Sequence, residues 1–560
     1  MWMDLPVEEK EEYRKLILGF SSLTEAFAQK SSSDSIPSPI INSKFQETVF
    51  QRVFRAFGED VGNTAFDASL RLQDSSGKDK KYLIGIKTFG INSGDQKIAQ
   101  FKTDFPEWSH ILDIIRNNAI ESDGSQATEE EINKKNYPLY LELAKKISEK
   151  RNKRIASAIS NLQGFSIVEG EDEVESVYHV LMPSKKGDDP TIFVGETSYH
   201  PIDIQNIKIV GCTSAKNPTN FEFHDGNHRY KFTAADSQLY MDFDNSNIVL
   251  EKWNVVYEPD AFSFFYKLAP ELNEKEGFSF DLINNLEGQF FQEEKNLEKT
   301  PKEKDIEENI CISPQNITES YSWKIPVERY SGFNSFFGVG SKLGKEQREH
   351  KLQLFFEKYK NLLDKEILDK VSGMLFQYLL GNSKGDKNSK NEKEELREKI
   401  IKVVKNVYHP DFYKDVRKLV FRPIDEMYIP IPNSKKFHTI HPDFFGSGIG
   451  TFKEDGKTLE KSKTECEFDL IFEPSGDRIR AFITQDSGKA IESCEKQSVL
   501  GKWLKQYVFQ LEDYEPLTSE RLEELGINGM RLYKLNNSDD VHLQFIDIDP
   551  SHLPSDYFGD

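Results

Sequence analysis

The sequence predicts a multidomain α/β (α+β) protein, and three observations carry that expectation. Its 560 residues exceed what one hydrophobic core ordinarily serves, so two or three domains are expected. Up to about residue 268, segments with helical spacing of apolar residues alternate with segments of strand-like alternation. From Val407 the chain reads as short strands separated by turns, the pattern of a small β-barrel-like domain with helical inserts.

The elements follow in order. An amphipathic helix is expected near residues 7–29, then a Ser/Pro loop, SSSDSIPSP, over 31–39. A compact block starts at Ile40 with SKFQETVFQRVFRAFG (43–58). There Phe45, Val49, Val53 and Phe57 recur at four-residue steps, a helical period. Ser43 with Gln46 suits a capping box at its start, and Gly58 suits its end. FDASLRL (66–72) alternates as a strand, with Asp67, Ser69 and Arg71 on one face. After a polar turn, YLIGIKTFG (82–90) reads as a second strand: Ile84 and Ile86 take one face, Leu83, Gly85 and Lys87 the other. A hairpin of the two puts Asp67 and Lys87 on the same sheet face.

Further on, residues 96–102 are expected to form a helix that presents Gln96, Lys97, Gln100 and Lys102 together. KKISEKRNKRIAS (145–157) reads as a basic helix. NFEFHDGNHRYKF (220–232) reads as a hairpin with Asp225-Gly226 in its turn. Two charged, apolar-poor stretches, 293–309 and 381–395, mark linkers around a mainly helical middle. The expected domains are therefore 1–268, 269–406 and 407–560. No internal repeat is visible.

Composition narrows the function classes. Apolar residues make up 37% and charged residues 30%, ordinary for a globular protein. The net charge of −21 argues against non-specific nucleic-acid binding, which rests on cations meeting phosphates. A cleft can still be locally basic within an acidic chain. Cys212, Cys311, Cys466 and Cys494 are far apart and form no CxxC pair, so neither structural zinc nor a disulfide framework is expected. His224 and His228 have the spacing of a helical metal site, but their segment reads as strand and turn. The apolar runs are too short for a membrane span, and the acidic N-terminus is not a secretory signal. A cytoplasmic protein is expected. Phosphate-loop and dinucleotide fingerprints are absent.

The chemistry centres on Lys87, a lysine inside an otherwise apolar strand, which requires a charged partner or a ligand. Phosphodiester hydrolysis needs a metal to stabilise charge on the phosphate and to activate water. Mg²⁺ keeps several waters, so one or two carboxylates hold it. A lysine beside it can orient or deprotonate the attacking water. Asp67, Lys87 and Glu47, the last from the preceding helix, supply that set. Without such chemistry Asp67 and Lys87 are a buried ion pair and Glu47 a solvated or capping glutamate.

A helix with a glutamate, a hairpin, an aspartate and a strand ending in lysine together resemble the PD-(D/E)XK nuclease superfamily. IKTFGINSGDQKIAQFK (86–102) resembles type II restriction endonucleases of that superfamily, and the likeness covers residues 40 to 265. It implies a mixed sheet flanked by helices, with Mg²⁺ on Asp67, Glu47 and the Ile86 backbone and Lys87 as the catalytic cation. It also implies a double-stranded DNA substrate, a homodimer and a cognate methyltransferase in a restriction–modification system. One position departs: the superfamily usually has an acid two residues before the lysine, and here it is Gly85. Either Glu47 restores the missing carboxylate, or the site binds without cutting. An RNA or repair nuclease is a further alternative.

Candidate DNA contacts in the first block are Gln96, Lys97, Gln100, Arg151, Arg154, Arg229 and Lys231. Residues 420–548, including QDSGKAI and LGKWL, resemble the B3-like DNA-recognition domains appended to some restriction enzymes. That likeness implies two base-reading arms, one with Ser434, Lys435, Lys436 and His438, the other with Ser487, Gly488, Lys489 and Lys502.

Overall fold

The structure is a computed structural model. It describes residues 1–27, 35–58, 65–73, 79–101, 106–165, 174–265, 317–330, 332–338, 344–381, 387–407, 409–495, 497–536 and 538–559. The chain is mixed α/β and divides into two compact units. One is Met1–Leu162 with Val168–Asn316; the other is Gln163–Ile167 with Ile317–Asp560.

The first unit begins with helices α1 (Val7–Ser22), α2 (Thr24–Phe27) and α3 (Ser43–Val53). Strands β1 (Phe57–Gly58), β2 (Ala68–Gln73), β3 (Asp79–Thr88) and β4 (Gln96–Gln100) follow, then α4 (Pro106–Asn118) and α5 (Glu129–Gln163). The remaining strands are β5 (Val174–Pro183), β6 (Thr191–Ser198), β7 (Lys208–Cys212), β8 (Phe221–His224), β9 (Arg229–Thr233), β10 (Gln238–Met241) and β11 (Val249–Asn254). They form a six-stranded sheet, β1-β2-β3-β5-β6-β11, and a five-stranded sheet, β4-β10-β9-β8-β7. Within the first, β3 and β5 are parallel and the connection between them carries α4 and α5.

Strand β3 is covered on both faces, which explains its near-continuous apolar run. Ala68, Ile84 and Ile86 pack under Val49, Phe50 and Val53 of α3 and Tyr13 and Ile17 of α1. Phe66, Leu83 and Tyr178 face α4, α5 and the second sheet. Along α5, Tyr140, Leu143, Ala144, Ile147, Arg151, Ile155 and Leu162 are buried, a stripe at three- and four-residue steps.

Three local expectations change. The α3 cap is Asn42, whose side chain accepts the Phe45 amide at 2.9 Å, rather than Ser43. Gly58 does not end the helix: it pairs with Ala68 in β1, after a left-handed turn at Arg55. Gln96–Gln100 is a strand rather than a helix, because Gln238–Met241, far along the chain, supplies its partner. The expected hairpin at Asp225-Gly226 is present, with His224 opposite Arg229.

In the second unit, β12 (Ile317–Lys324), β13 (Ile429–Pro430), β14 (Glu467–Glu473), β15 (Asp477–Ile483), β16 (Ala490–Ser493), β17 (Gly529–Leu535) and β18 (Val541–Ile546) form one sheet. Its order is β12-β17-β18-β14-β15-β16-β13, an open sheet that corrects the expected barrel. The expected boundary at 406/407 also fails. Strand β12 comes from the supposed middle segment yet pairs along β17. Helix Pro410–Val420 shares a core with helices Lys345–Tyr359, Lys365–Leu380 and Lys387–Lys405, through Phe355, Tyr359, Val371, Val404, Phe412 and Val416.

Two polar fixtures hold this unit. The Asp556 carboxylate accepts from Arg531 Nε at 2.7 Å and from the Ser322 hydroxyl at 2.8 Å, tying the final residues to β12 and β17. Lys505 is buried on a π-helical turn (Trp503–Val508) and donates to the Ile424 and Glu426 carbonyls at 2.7 and 3.0 Å. The helix Ser519–Leu525 is capped by Thr518 and ended by left-handed Gly526. Among the described residues no helix is long and apolar enough to cross a membrane.

Candidate nuclease site

Strands β2 and β3 pair with Ala68 opposite Ile84, and the step beyond brings Asp67 across from Gly85. Side chains alternate, so Asp67, Gly85 and Lys87 share one face of the sheet. The Lys87 ammonium lies 3.8 Å from Asp67 Oδ2, as the hairpin reading predicts. Both side chains are partly open, 30% and 25% exposed. The pair is therefore not the fully buried ion pair of the purely structural reading, and solvent screens it.

Backbone bonds fix Asp67. Its amide donates to the Ile84 carbonyl at 2.9 Å, and its Oδ2 accepts the Ile86 amide at 2.6 Å. Gln51 Nε2, on α3, donates to the Asp67 carbonyl at 3.3 Å. Glu47 lies one helical turn before Gln51 and so on the same side of α3. Its side chain is 14% exposed and pairs with Lys44 at 2.8 Å. Glu47 thus does not project freely into solvent. Its four-residue spacing places Gln51 on the Glu47 side of α3, where it braces the segment that carries Asp67.

The opposite face of β3 is closed. Thr88 donates to buried Gln46 of α3. His179, paired with Ile86 across β3 and β5, is fully buried, stacks on Trp2 at 5.0 Å and meets the Tyr13 hydroxyl at 3.1 Å. Burial lowers its pKa to about 3, so this imidazole is neutral.

On the Asp67 face, the place of the missing acid is filled by aromatic rings. A Cβ on Gly85 would stand 2.7 Å from Tyr178 Cδ1, closer than packed atoms allow. Tyr178 stacks on Tyr199 at 3.9 Å, and the Arg151 guanidinium lies 4.7 Å from the Tyr199 ring centroid. Arg151 is 2% exposed, which corrects its expected role as a DNA contact. Its place in the buried stripe of α5, four residues from Ile147 and from Ile155, was the signal missed.

The other expected contacts divide. Arg154 reaches the Gln100 carbonyl at 3.4 Å, so these two candidates do meet, and Lys97 donates to the Gln100 side chain at 3.3 Å. Gln96 donates to the Gly94 carbonyl at 2.6 Å. Lys231 is ion-paired to Asp95 at 2.6 Å, and Arg229 lies 3.9 Å from the same carboxylate and 3.7 Å from Glu222. Their charges are largely met within the protein. Lys102 lies outside the described residues.

In the second unit, residues 434–440 form a short helix rather than an extended arm, with Ser434 and His438 buried, which corrects both as base readers. Ser434 donates to the Ser487 carbonyl at 2.8 Å, and His438 Nε2 donates to the Gly488 carbonyl at 2.9 Å. The two expected arms are therefore one joined structure. Burial lowers the His438 pKa. Lys435, Lys436, Lys489 and Lys502 are exposed, with Lys489 paired to Asp486 and Ser487 half-buried.

Among the described residues no group of three or more His, Cys, Asp or Glu side chains is arranged to hold a metal ion. A Mg²⁺ that keeps several waters needs fewer. The donor set at Asp67, one fixed and partly open carboxylate beside a lysine, fits such an ion. In comparison with known proteins, no family model and no curated protein matches this chain.

Proposed function

We propose that the chain is a Mg²⁺-dependent endonuclease of double-stranded DNA, acting as a site-specific restriction enzyme. One observation carries the reading: Asp67 and Lys87, separated in sequence, meet on one partly open sheet face with the Ile86 backbone between them. The order α3 and then the β2–β3 hairpin supports it, because a helix with a glutamate followed by a hairpin carrying the aspartate and the lysine is what the superfamily resemblance rests on.

In this reading Asp67 and the Ile86 carbonyl hold the ion, with Glu47 as the added carboxylate. The bound ion supplies charge stabilisation at the phosphate and a more acidic water. Lys87 orients the attacking water and stabilises charge developing on the phosphate oxygens. Asp67 is held ready by the Ile86 amide and so requires little reorganisation. We further propose that the second unit reads sequence through its exposed lysines. A homodimer would cut both strands of a palindrome. A cognate methyltransferase would then protect the host DNA.

The test is digestion of a sequenced plasmid with and without Mg²⁺. Discrete Mg²⁺-dependent fragments support the reading; intact plasmid, together with cleavage of RNA alone, overturns it. A second reading, DNA binding without cutting, is favoured by the aromatic closure of position 85. A gel shift of duplex DNA without cleavage supports that reading instead.

A further inference from the structure

We propose that Tyr178 is a positioning residue that restricts the Asp67–Lys87 site to a single strand carboxylate, and so sets how tightly it holds a divalent cation. The inference rests on the reading of that site as metal-dependent. Position 85 is the one place on β3 from which a side chain would project beside both Asp67 and Lys87. Register pairs Gly85 directly with Tyr178 on the parallel strand β5. A Cβ there would meet Tyr178 Cδ1 at 2.7 Å, Tyr178 Cε1 at 2.8 Å and Tyr199 Cε1 at 3.3 Å. The first two distances are shorter than any relaxed carbon contact, so a carboxylate at 85 requires the ring to leave.

The ring cannot leave easily. Tyr178 is 1% exposed, stacked on Tyr199 at 3.9 Å and in edge contact with Phe243 at 4.9 Å. Tyr199 is itself fixed: its hydroxyl donates to the Ala65 carbonyl at 2.6 Å and its ring packs on Phe66 at 4.4 Å. Ala65 and Phe66 immediately precede Asp67. Behind the stack, Arg151 lies over Tyr199 and donates to the His200 carbonyl at 3.1 Å. The same pair of rings therefore does two things. Tyr199 holds the segment that delivers Asp67, and Tyr178 excludes a second acid from the strand opposite.

A site with one strand carboxylate binds a hard cation weakly until further oxygen donors arrive. Removing the ring and adding an acid should create the missing ligand. The experiment measures Mn²⁺ binding to the full chain by electron paramagnetic resonance, without DNA. Wild type is expected to bind weakly, with binding lost in Asp67→Asn. The double variant Gly85→Asp/Tyr178→Ala is expected to bind at least tenfold more tightly, whereas Tyr178→Ala alone should not tighten binding.

Gly85→Asp alone binding as tightly as the double variant would overturn the inference, since the ring would then exclude nothing. So would a folded double variant that binds no more tightly than wild type, while Asp67-dependent Mn²⁺ binding in wild type leaves the metal-site reading standing. Loss of that reading has a different signature: wild type and Asp67→Asn indistinguishable at millimolar Mn²⁺, an outcome that overturns both. Thermal unfolding covers the case in which the double variant does not fold. Gly85→Ala should lower the unfolding midpoint in wild type and have little effect in the Tyr178→Ala background. Equal effects in both backgrounds would overturn the inference.

Discussion

Asp67 Oδ2 stands 2.6 Å from the Ile86 amide nitrogen, so the carboxylate at the candidate site is also a structural acceptor for the lysine strand. An asparagine oxygen can accept the same hydrogen bond without the charge. Asp67→Asn should therefore fold like wild type while losing the group that attracts a cation. If the proposed chemistry holds, DNA cleavage falls about a thousandfold or more. Initial rates on plasmid, with circular dichroism as the folding control, check this; full activity removes the site.

Lys87→Ala should reduce cleavage to a similar extent while leaving stability within about 1 kcal/mol, because its ion pair is long and partly exposed. A large loss of stability would instead mark Lys87 as structural. Urea unfolding and cleavage rates, measured on the same preparation, separate the two outcomes.

Buried His179 makes the first unit acid-sensitive. Burial lowers its folded pKa to about 3, from an ordinary value of 6.5. Between these values the unfolded chain takes up the proton and the folded chain does not. Its contribution is therefore intact above pH 6.5 and is lost as pH falls toward 3, with a slope of up to about 1.4 kcal/mol per pH unit. His179→Gln should flatten the acid limb of the stability curve by part of that slope, read by urea midpoints across pH 7 to 4.

Lys505 predicts a trend at the alkaline end. Burial lowers its folded pKa to about 7 from 10.5, while Asp425 and Glu426 oppose that shift. Arg422 is paired with Glu426, and the Phe336 ring covers the ammonium at 5.0 Å. The unfolded chain binds the extra proton between the two values, so this residue's contribution is lost as pH falls from 10.5 to 7. Lys505→Met should remove that dependence; it also removes two hydrogen bonds to the Ile424 and Glu426 carbonyls. The urea midpoint of wild type should rise relative to that of Lys505→Met from pH 7 to 10; parallel curves, or a relative fall, would contradict the prediction.

A piece starting at Ile317 should unfold with a sharper, later transition than one starting at Val407. The shorter piece loses β12, which pairs along β17, and three of the four helices around Phe412. Denaturant unfolding of both pieces checks this through their m-values, which follow buried surface.

The hairpin and the shared face of Asp67 and Lys87 were legible because they rest on contacts near in sequence or on strict alternation. What failed depended on distant partners. Gln96–Gln100 looked helical until β10 was beside it, and the sheet expected to close as a barrel is open, with β12, from before the helices, at one edge. Arg151 was read by charge, although it lies in phase with apolar neighbours on its own helix, and His438 by polarity, although it shares the buried side of a short helix with Ser434 and Phe437. The closure of position 85 depended on a tyrosine from another strand, and no local pattern announces such a ring.

The clasp at Asp556 also bears on the order of events during synthesis. Ser322 and Asp556 are 234 positions apart, and among the described residues the sheet partner of β12 is β17. A ribosome therefore releases β12 long before the segment that completes it. During that interval its backbone edge is open to pairing with other chains. Closing so long a loop is slow relative to local folding. The first unit, made earlier from its own contacts, can be finished while the second is still waiting. Yield of correctly folded protein should consequently respond to translation speed and temperature through the second unit.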